Sequence, residues 1–403
     1  MINYRLQTLT KLTLLSASCL LNGVVVKIAT AYATTNSATF YSGRSISSTC
    51  LANQKQHRDG ELQMLFGGDY PKISIAIEAV RKACRVTKHL QERITDIATL
   101  TKDDSSPVTV ADFSSQAIIL QHLYRHLQTG NTAIFLAEEK SDNLTPLITD
   151  QILQAVQEEI HDEETLKECI DLGQTFFDSN DPPLTYWCLD PIDGTKGFIR
   201  KEQYCVALGL IEHGEPTIGL LACPNLPFDE NKKEEIGCIF VACKGQGCYQ
   251  IDLNGIYEPK RIGLGWNPMD PLPASKGRFC VPVEQTFGDP TGKAKAMAKY
   301  MHGNLINDEI IHSIRMDSQS KYGVVARGDA EFYVRLPRHD HREWIWDVAP
   351  GVLILQEAGG VVTDANGIPL DFSCGAKLKS NYGVLGASEK ELHSTLLKAY
   401  NHK

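Results

Sequence analysis

Two carboxylates three positions apart, Asp190 and Asp193, follow the apolar run Tyr186-Trp187-Cys188-Leu189. That run predicts a buried strand, with Asp190 at its end and Pro191 turning the chain away. Within Asp190-Pro191-Ile192-Asp193-Gly194-Thr195, Ile192 offers a backbone carbonyl and Gly194 lets the backbone approach a ligand closely. All-oxygen donors at this spacing suit a hard divalent cation, chiefly Mg²⁺. Thr195 adds a hydroxyl directly beside them. Alone, an Asp-Pro, Asp-Gly sequence is equally a turn between two elements.

Three further segments carry acids at the ends of predicted elements. Asp112 opens the apolar-periodic stretch Ala117, Leu120, Leu123, Leu127, where by itself it reads as a helix N-cap or first-turn acid. Ala133-Ile134-Phe135-Leu136-Ala137 is a short apolar strand ending in Glu138 and Glu139. Trp344-Ile345-Trp346-Asp347-Val348-Ala349-Pro350-Gly351 places Asp347 before another helical stretch. Taken singly, the first pair is a solvated strand end and Asp347 an N-cap.

In this order the four acidic segments resemble the inositol monophosphatase superfamily of metal-dependent, lithium-sensitive phosphomonoesterases. Within it the chain is similar to the 3'(2'),5'-bisphosphate nucleotidases of the yeast salt-tolerance and plant chloroplast type, from about Tyr70 to the C-terminus. The finer likeness rests on Lys196-Gly197-Phe198-Ile199-Arg200, Cys223-Pro224-Asn225-Leu226-Pro227 and Asp317-Ser318-Gln319-Ser320-Lys321-Tyr322.

The resemblance implies two or three Mg²⁺ ions. Glu138, Asp190 and the Ile192 carbonyl would hold one, with Asp190 shared with Asp193 and Asp347 around a second. Asp112 would lie beside a looser third ion or the attacking water, and Asp112 and Thr195 would together accept that water's proton. Five bare anions in one cleft would otherwise repel or become protonated. Backbone N–H groups after Gly194 are available to phosphate oxygens. Ser318, Lys321 and Arg335 match family positions that contact the nucleotide and its phosphates, joined there by Asp347. One departure concerns residues 284–293, where relatives carry a substrate-contacting histidine and this chain has Thr286-Phe287-Gly288-Asp289-Pro290 instead.

The elements that must position these groups are legible in outline. Ile73, Ile77, Val80 and Cys84 recur at helical spacing. Residues 151–172 read as an acidic, solvated helical insertion. Residues 206–211 and 218–223 pair around His213-Gly214, and residues 238–242 and 248–251 around Lys244-Gly245-Gln246-Gly247. Later come strand 279–281, helix 292–301, a strand-like 323–326, strand 331–335 and a helix from Asp347. Strands 360–363 and 382–385 follow, then a last helix with a capping box at Ser388 and Glu391. The fold class is therefore α/β, with an α+β part over residues 70–262 carrying most metal ligands. Residues 263–403 form an α/β part with the substrate pocket and the last ligand. The resemblance implies a layered α/β/α/β/α sandwich.

At 403 residues the chain has room for two compact units. Six basic residues and no acid precede Asp59, whereas the whole chain has a formal charge of −9. An acidic body argues against binding long nucleic acid. The stretch from Leu12 to Val26 has the size of a signal-peptide core, Ala31-Tyr32-Ala33 resembles a cleavage site, and a Ser/Thr/Ala-rich run reaches Cys50. Residues 1–69 are therefore expected to be a targeting leader, to the plastid or alternatively the mitochondrion or secretory route. The twelve cysteines include no C-x-x-C pair and read as small buried hydrophobes. His339-Asp340-His341 lies in a predicted loop and reads as structural or solvated rather than as a metal site.

The expected activity is hydrolysis of adenosine 3',5'-bisphosphate to AMP and phosphate, and of 3'-phosphoadenylyl sulfate, by a monomer without a membrane partner. Rival readings are an inositol polyphosphate 1-phosphatase or inositol monophosphatase, and a nucleotide sensor without turnover.

Overall fold

Alternating side chains in the central strands divide the interior into two apolar layers. In the strand Thr185–Asp193, Tyr186 and Cys188 face one core, while Trp187 and Leu189 face another. The next strand repeats this, with Cys205, Ala207 and Ile211 on the first side and Val206, Leu208 and Leu210 on the second.

The computed structural model describes residue 57 and residues 59–94, 99–101, 107–127, 133–175, 181–229, 232–263, 274–283, 291–302, 305–306, 309–310 and 313–402. In chain order these give α1 (Tyr70–Glu92), β1 (Thr99–Thr101), β2 (Pro107–Thr109), α2 (Val110–His126) and β3 (Phe135–Ala137). Then come α3 (Pro146–Val156), α4 (Glu163–Asp171), β4 (Thr185–Asp193) and α5 (Thr195–Ile199). A meander of β5 (Cys205–Glu212), β6 (Glu215–Asp229), β7 (Lys232–Cys243), β8 (Gly247–Asp252) and β9 (Lys260–Ile262) follows. The later part holds β10 (Phe279–Val281), α6 (Lys293–His302), β11 (Leu305–Ile306), β12 (Glu309–Ile310) and β13 (Ser313–Arg315). It ends with α7 (Ser320–Ala326), β14 (Phe332–Arg335), α8 (Ala349–Glu357), β15 (Val361–Thr363), β16 (Val384–Ala387) and α9 (Lys390–Asn401).

Seven strands make one sheet in the order β3-β4-β5-β6-β7-β8-β9, and five make the other, β13-β10-β14-β16-β15. The first sheet is antiparallel except for the parallel β3–β4 pair. Helices α1 and α2 cover its outer face through Ile73, Ile77, Val80 and Leu120. Between the sheets lie α7 and α8, in a core that includes Tyr322, Val325, Val352 and Ile354 together with strand residues of both sheets. On the far face of the second sheet α6 and α9 pack through Met297, Leu392 and Leu396. The result is the expected α/β/α/β/α layering, within one compact unit Ser48–Lys403.

The hairpins form where expected, with His213 and Gly214 both at positive φ (54° and 76°) between β5 and β6. Four local expectations are corrected. Residues 323–326 are helical, within α7, because the Val324-Val325 run is enclosed on all sides between the sheets and periodicity cannot distinguish that from a strand. The last helix has Glu389, not Ser388, as its N-cap, and no side chain caps it. The insertion 151–172 is two helices whose Ile152, Val156, Leu166 and Ile170 pack against Phe113 and Ile118 of α2, so it is more than a solvated face. Lastly, Leu62 and Phe66 fall inside the expected leader, yet they are 5% and 0% exposed in the core beneath α1. Burial of their apolar surface ties the segment ahead of Tyr70 to the fold. The rest of the expected leader, residues 1–56, lies outside the described residues. All ten described cysteines are free, nine of them buried.

Phe66→Ala should cost about 3–5 kcal/mol of stability, the usual range for emptying a buried aromatic site. Urea denaturation checks this. A chain started at Tyr70 should be destabilised in the same direction, and one started at His57 should not.

Candidate functional site

Asp190 lies on the same face of β4 as Tyr186 and Cys188, pointing into the space between the sheets. A residue three positions on would ordinarily face the opposite way. The β4–β5 register, however, shifts between Asp190↔Ala207 and Asp193↔Cys205, so three steps on β4 match two on β5. That extra residue is a bulge. Both opposite residues, Ala207 and Cys205, belong to the inter-sheet core, and the bulge therefore returns Asp193 to the side of Asp190. Gly194 then takes φ +90°, and a Cβ there would stand 2.9 Å from that of Ser318. Only glycine fits this approach.

Helix α2 holds two of the acidic segments by side-chain bonds to backbone. Ser115 donates to the Pro191 carbonyl at 2.8 Å. The Gln116 amide donates to the Glu139 carbonyl at 2.8 Å and accepts from the Glu139 N–H at 2.9 Å. Gln174 adds bonds to the carbonyls of Ala137 and Glu139, so the backbone on either side of Glu138 is fixed. Asp112, 1% exposed, stands in the first turn of α2. The adjacent Ala111 packs with Ile192 and Phe198, which brings that turn against the bulge and α5. Thr195 donates to the Ile192 carbonyl at 3.3 Å.

Asp347 arrives from the second sheet's side, just ahead of α8. The first turn of α8 rests on β5 and β6, where Cβ atoms at Gly209 and Gly219 would lie 3.3 Å and 2.8 Å from Pro350. Gln319 joins the parts. Its N–H donates to Asp193 at 2.6 Å, its side chain donates to the Trp346 carbonyl at 2.8 Å, and it accepts from the Gly351 N–H at 3.3 Å. Arg335 donates to Glu343 at 2.7 Å, and Glu343 is 3% exposed. Neither Gln319 nor Glu343 was singled out from sequence. The only available signal was Gln319's place inside the Asp317–Tyr322 segment.

The electrostatics of these groups are linked. Burial, then the charges of Glu138, Asp193 and Asp347, holds the Asp190 carboxyl well above the ordinary carboxylate range. Burial also raises Asp193, against the pull of Lys321 and Arg335. Asp347 is raised well above its ordinary value by burial, opposed by Arg335 and reinforced by Glu343, Asp193 and Glu138. Burial disfavours charge on Glu343 too, but Arg335 and His341 together outweigh it and bring that carboxyl down to about 2.

Lys321, expected to contact substrate, lies near Asp193, Asp317 and Arg335. It is 4% exposed, donates to the Met316 carbonyl at 3.3 Å and lies 5.9 Å from the Tyr333 ring centre. Burial lowers its pKa while Asp193 opposes that. It balances Asp193 from within the core. Ser318, at φ +71° and 7% exposed, shares a 2.5 Å hydrogen bond with Ser320. Residues 284–290, where the family histidine is missing, lie outside the described residues. His339 and Asp340 are exposed, as expected of a solvated loop.

A divalent cation fits this donor set: carboxylates and a carbonyl, mutually repelling and mostly buried. Among the described residues, only His57, Glu61 and Glu258 bring three such ligand atoms within 4.8 Å of one another, at the surface. No helix among the described residues is long and apolar enough to cross a membrane.

Residues 62–403 match the inositol monophosphatase family. A Dictyostelium discoideum protein named 3'(2'),5'-bisphosphate nucleotidase is 37% identical over 80% of this chain and 94% of its own. An Arabidopsis thaliana protein named 3',5'-bisphosphate nucleotidase 2 is 34% identical, over 81% and 95% respectively. Among solved structures, an extragenic suppressor protein from Bartonella henselae shares the fold, with a TM-score of 0.55 at 18% identity over 82% of this chain and 98% of that one. An inositol monophosphatase from Anabaena gives 0.50 at 19%, over 84% and 96%.

The raised carboxyls make a prediction about pH. Asp190, Asp193 and Asp347 have folded-state pKa values above their unfolded ones. Their contribution to stability is present below the ordinary carboxylate pKa and is lost as pH rises through the raised values. Metal-free protein should therefore melt several degrees higher near pH 5 than at pH 8, and saturating divalent cation should shrink the difference. Asp190→Asn should raise the metal-free melting temperature at pH 8. Calorimetry with and without chelator checks all three.

Proposed function

The chain belongs to the inositol monophosphatase family, and on that premise we propose that it is a Mg²⁺-dependent phosphomonoesterase hydrolysing adenosine 3',5'-bisphosphate to AMP and phosphate. The same chemistry extends to 3'-phosphoadenylyl sulfate, whose 3'-phosphate is equivalent, and so places the enzyme in sulfur metabolism. The observation that carries the reading is the gathering of Glu138, Asp193 and Asp347 around the buried Asp190, whose carboxyl is raised by burial and then by their charges. A cluster of that kind is made for cations rather than for a bare anionic substrate. The names borne by the nucleotidase relatives, together with the Lys196–Arg200 and Asp317–Tyr322 segments, favour a nucleotide over an inositol phosphate.

Held by Glu138, Asp190, the Ile192 carbonyl, Asp193 and Asp347, two or three Mg²⁺ ions would neutralise phosphoryl charge and lower the pKa of a nearby water. Asp112 accepts that water's proton, with Thr195 as the hydroxyl between them, because the first turn of α2 packs on the segment that carries Thr195. Glu343 fixes the orientation of the Arg335 guanidinium, leaving its other N–H groups for the second phosphate. Ser318, held against Gly194, offers a hydroxyl to the nucleotide. Lithium would inhibit by displacing one Mg²⁺. We further propose that the basic leader within residues 1–56 directs the protein to a plastid. A fusion of those residues to a fluorescent protein checks this, and diffuse cytosolic signal would refute it.

Asp193→Asn, Asp190→Asn and Glu138→Gln should each lower kcat by orders of magnitude in a Mg²⁺-dependent phosphate-release assay. Each removes charge that holds an ion. Thr195→Ala and Asp112→Asn should slow turnover comparably but leave Mg²⁺ binding intact in a calorimetric titration. A wild-type protein that binds nucleotide and releases no phosphate would be the sensor instead.

Arg335→Ala should raise KM for adenosine 3',5'-bisphosphate about tenfold or more, equivalent to roughly 1.4 kcal/mol, and should matter less for a monophosphate. A panel with inositol 1,4-bisphosphate and inositol 1-phosphate checks the substrate class. Faster wild-type turnover of the inositol phosphates would leave the metal reading intact and overturn the nucleotide one.

A further inference from the structure

Helices α7 and α8 lie side by side between the sheets, with Lys321 and Asp347 at their N-terminal ends. Their C-terminal ends, at Ala326 and Glu357, open on a second cavity of about 310 Å³. It is separated from the carboxylate cluster by the length of α8, roughly 14 Å at 1.5 Å per residue. Its lining joins the apolar Val325, Leu355 and Leu392 to the polar Arg327, Glu331 and Ser388, and Gly328 leaves open space where a side chain would stand. Glu389 also lines it.

Glu389 is 7% exposed, and its Oε2 is buried with no hydrogen-bond partner. Although it is the N-cap residue of α9, its side chain caps nothing. The charged neighbours are committed elsewhere. Arg327 donates to Asp329 at 2.5 Å and to the Pro227 carbonyl at 2.7 Å, while Glu331 accepts from Arg278 at 3.1 Å. Burial, with Glu391 nearby, pushes the Glu389 carboxyl above its ordinary range. A buried carboxylate without a partner costs free energy that a cation would recover. Two helix C-termini add negative potential on the same side.

We propose that this cavity binds a primary ammonium group carried on a short apolar chain, with the ammonium on Glu389 and the chain against Val325, Leu355 and Leu392. An anion would meet Glu389 and the carbonyl ends of two helices. A wholly apolar guest would leave the carboxylate unpaired. A divalent cation would find one carboxylate where it needs several oxygens. Two sources share the required chemistry, a free alkylamine and a lysine side chain of another protein.

Isothermal titration of the full chain with n-butylamine at pH 7 tests the inference, with n-butanol as the neutral control. Lysine blocked at both its amino and carboxyl groups forms the second arm. Saturable single-site binding of butylamine is expected, with at least tenfold weaker binding by Glu389→Gln and none of n-butanol. Tighter binding of blocked lysine than of butylamine assigns the site to a protein side chain, and the reverse to a free amine. The Glu389→Gln protein should keep the wild-type phosphatase rate and melt no lower, which separates loss of binding from loss of fold. A side-chain NMR titration should show the Glu389 carboxyl moving to lower pKa when butylamine saturates the protein. No saturable binding by wild type, or equal binding by Glu389→Gln, would overturn the proposal.

Discussion

Everything around the site answers one electrostatic difficulty: the negative charges of Glu138, Asp193 and Asp347 bear on the buried Asp190, and those of Glu138 and Asp193 on Asp347, so that both carboxyls are raised. Without compensation such a cleft would protonate or open. Part of the compensation is built in. Lys321 lies buried beside Asp193, and Arg335 stands near both Asp193 and Asp347 with its own charge steadied by Glu343. The remaining excess is negative, and cations are what it calls for. The cost of gathering these acids is thus inseparable from their use in phosphoryl chemistry.

Holding repelling groups in place requires rigid backbone. Ser115, Gln116 and Gln174 bond to the carbonyls of Pro191, Ala137 and Glu139, not to the carboxylates themselves. These bonds fix the backbone that carries the acids. Gln319 does the corresponding work between sheets, since one residue touches Asp193, Trp346 and Gly351. Its amide is mostly enclosed, and loss of any one of these bonds would leave a buried polar group unsatisfied.

The inter-sheet helices link two chemically opposite environments. At their N-terminal ends the acidic groups of the candidate site are gathered, with Asp347 just ahead of α8. At their C-terminal ends Glu389, whose Oε2 is buried without a hydrogen-bond partner, borders a cavity of mixed apolar and polar lining. Both helices pack in the core shared by the two sheets.

The order of acidic segments, the strand before Asp190, the hairpins at His213-Gly214 and Lys244–Gly247, and the amphipathic opening helix were all determined by local sequence. Each is a pattern of adjacent residues with a steric or solvation cause. Local sequence misread the Val324-Val325 run, because enclosure between two sheets makes a helix apolar all round and erases its period. It also misplaced the start of the fold, since only packing beneath α1 shows that Leu62 and Phe66 are core. Tertiary structure alone decided that Asp193 shares a face with Asp190, through a one-residue bulge. It alone paired Arg335 with Glu343 and turned Lys321 inward beside Asp193. Those outcomes depend on contacts between residues far apart in the chain, and spacing along a sequence carries no information about which buried charge will meet which.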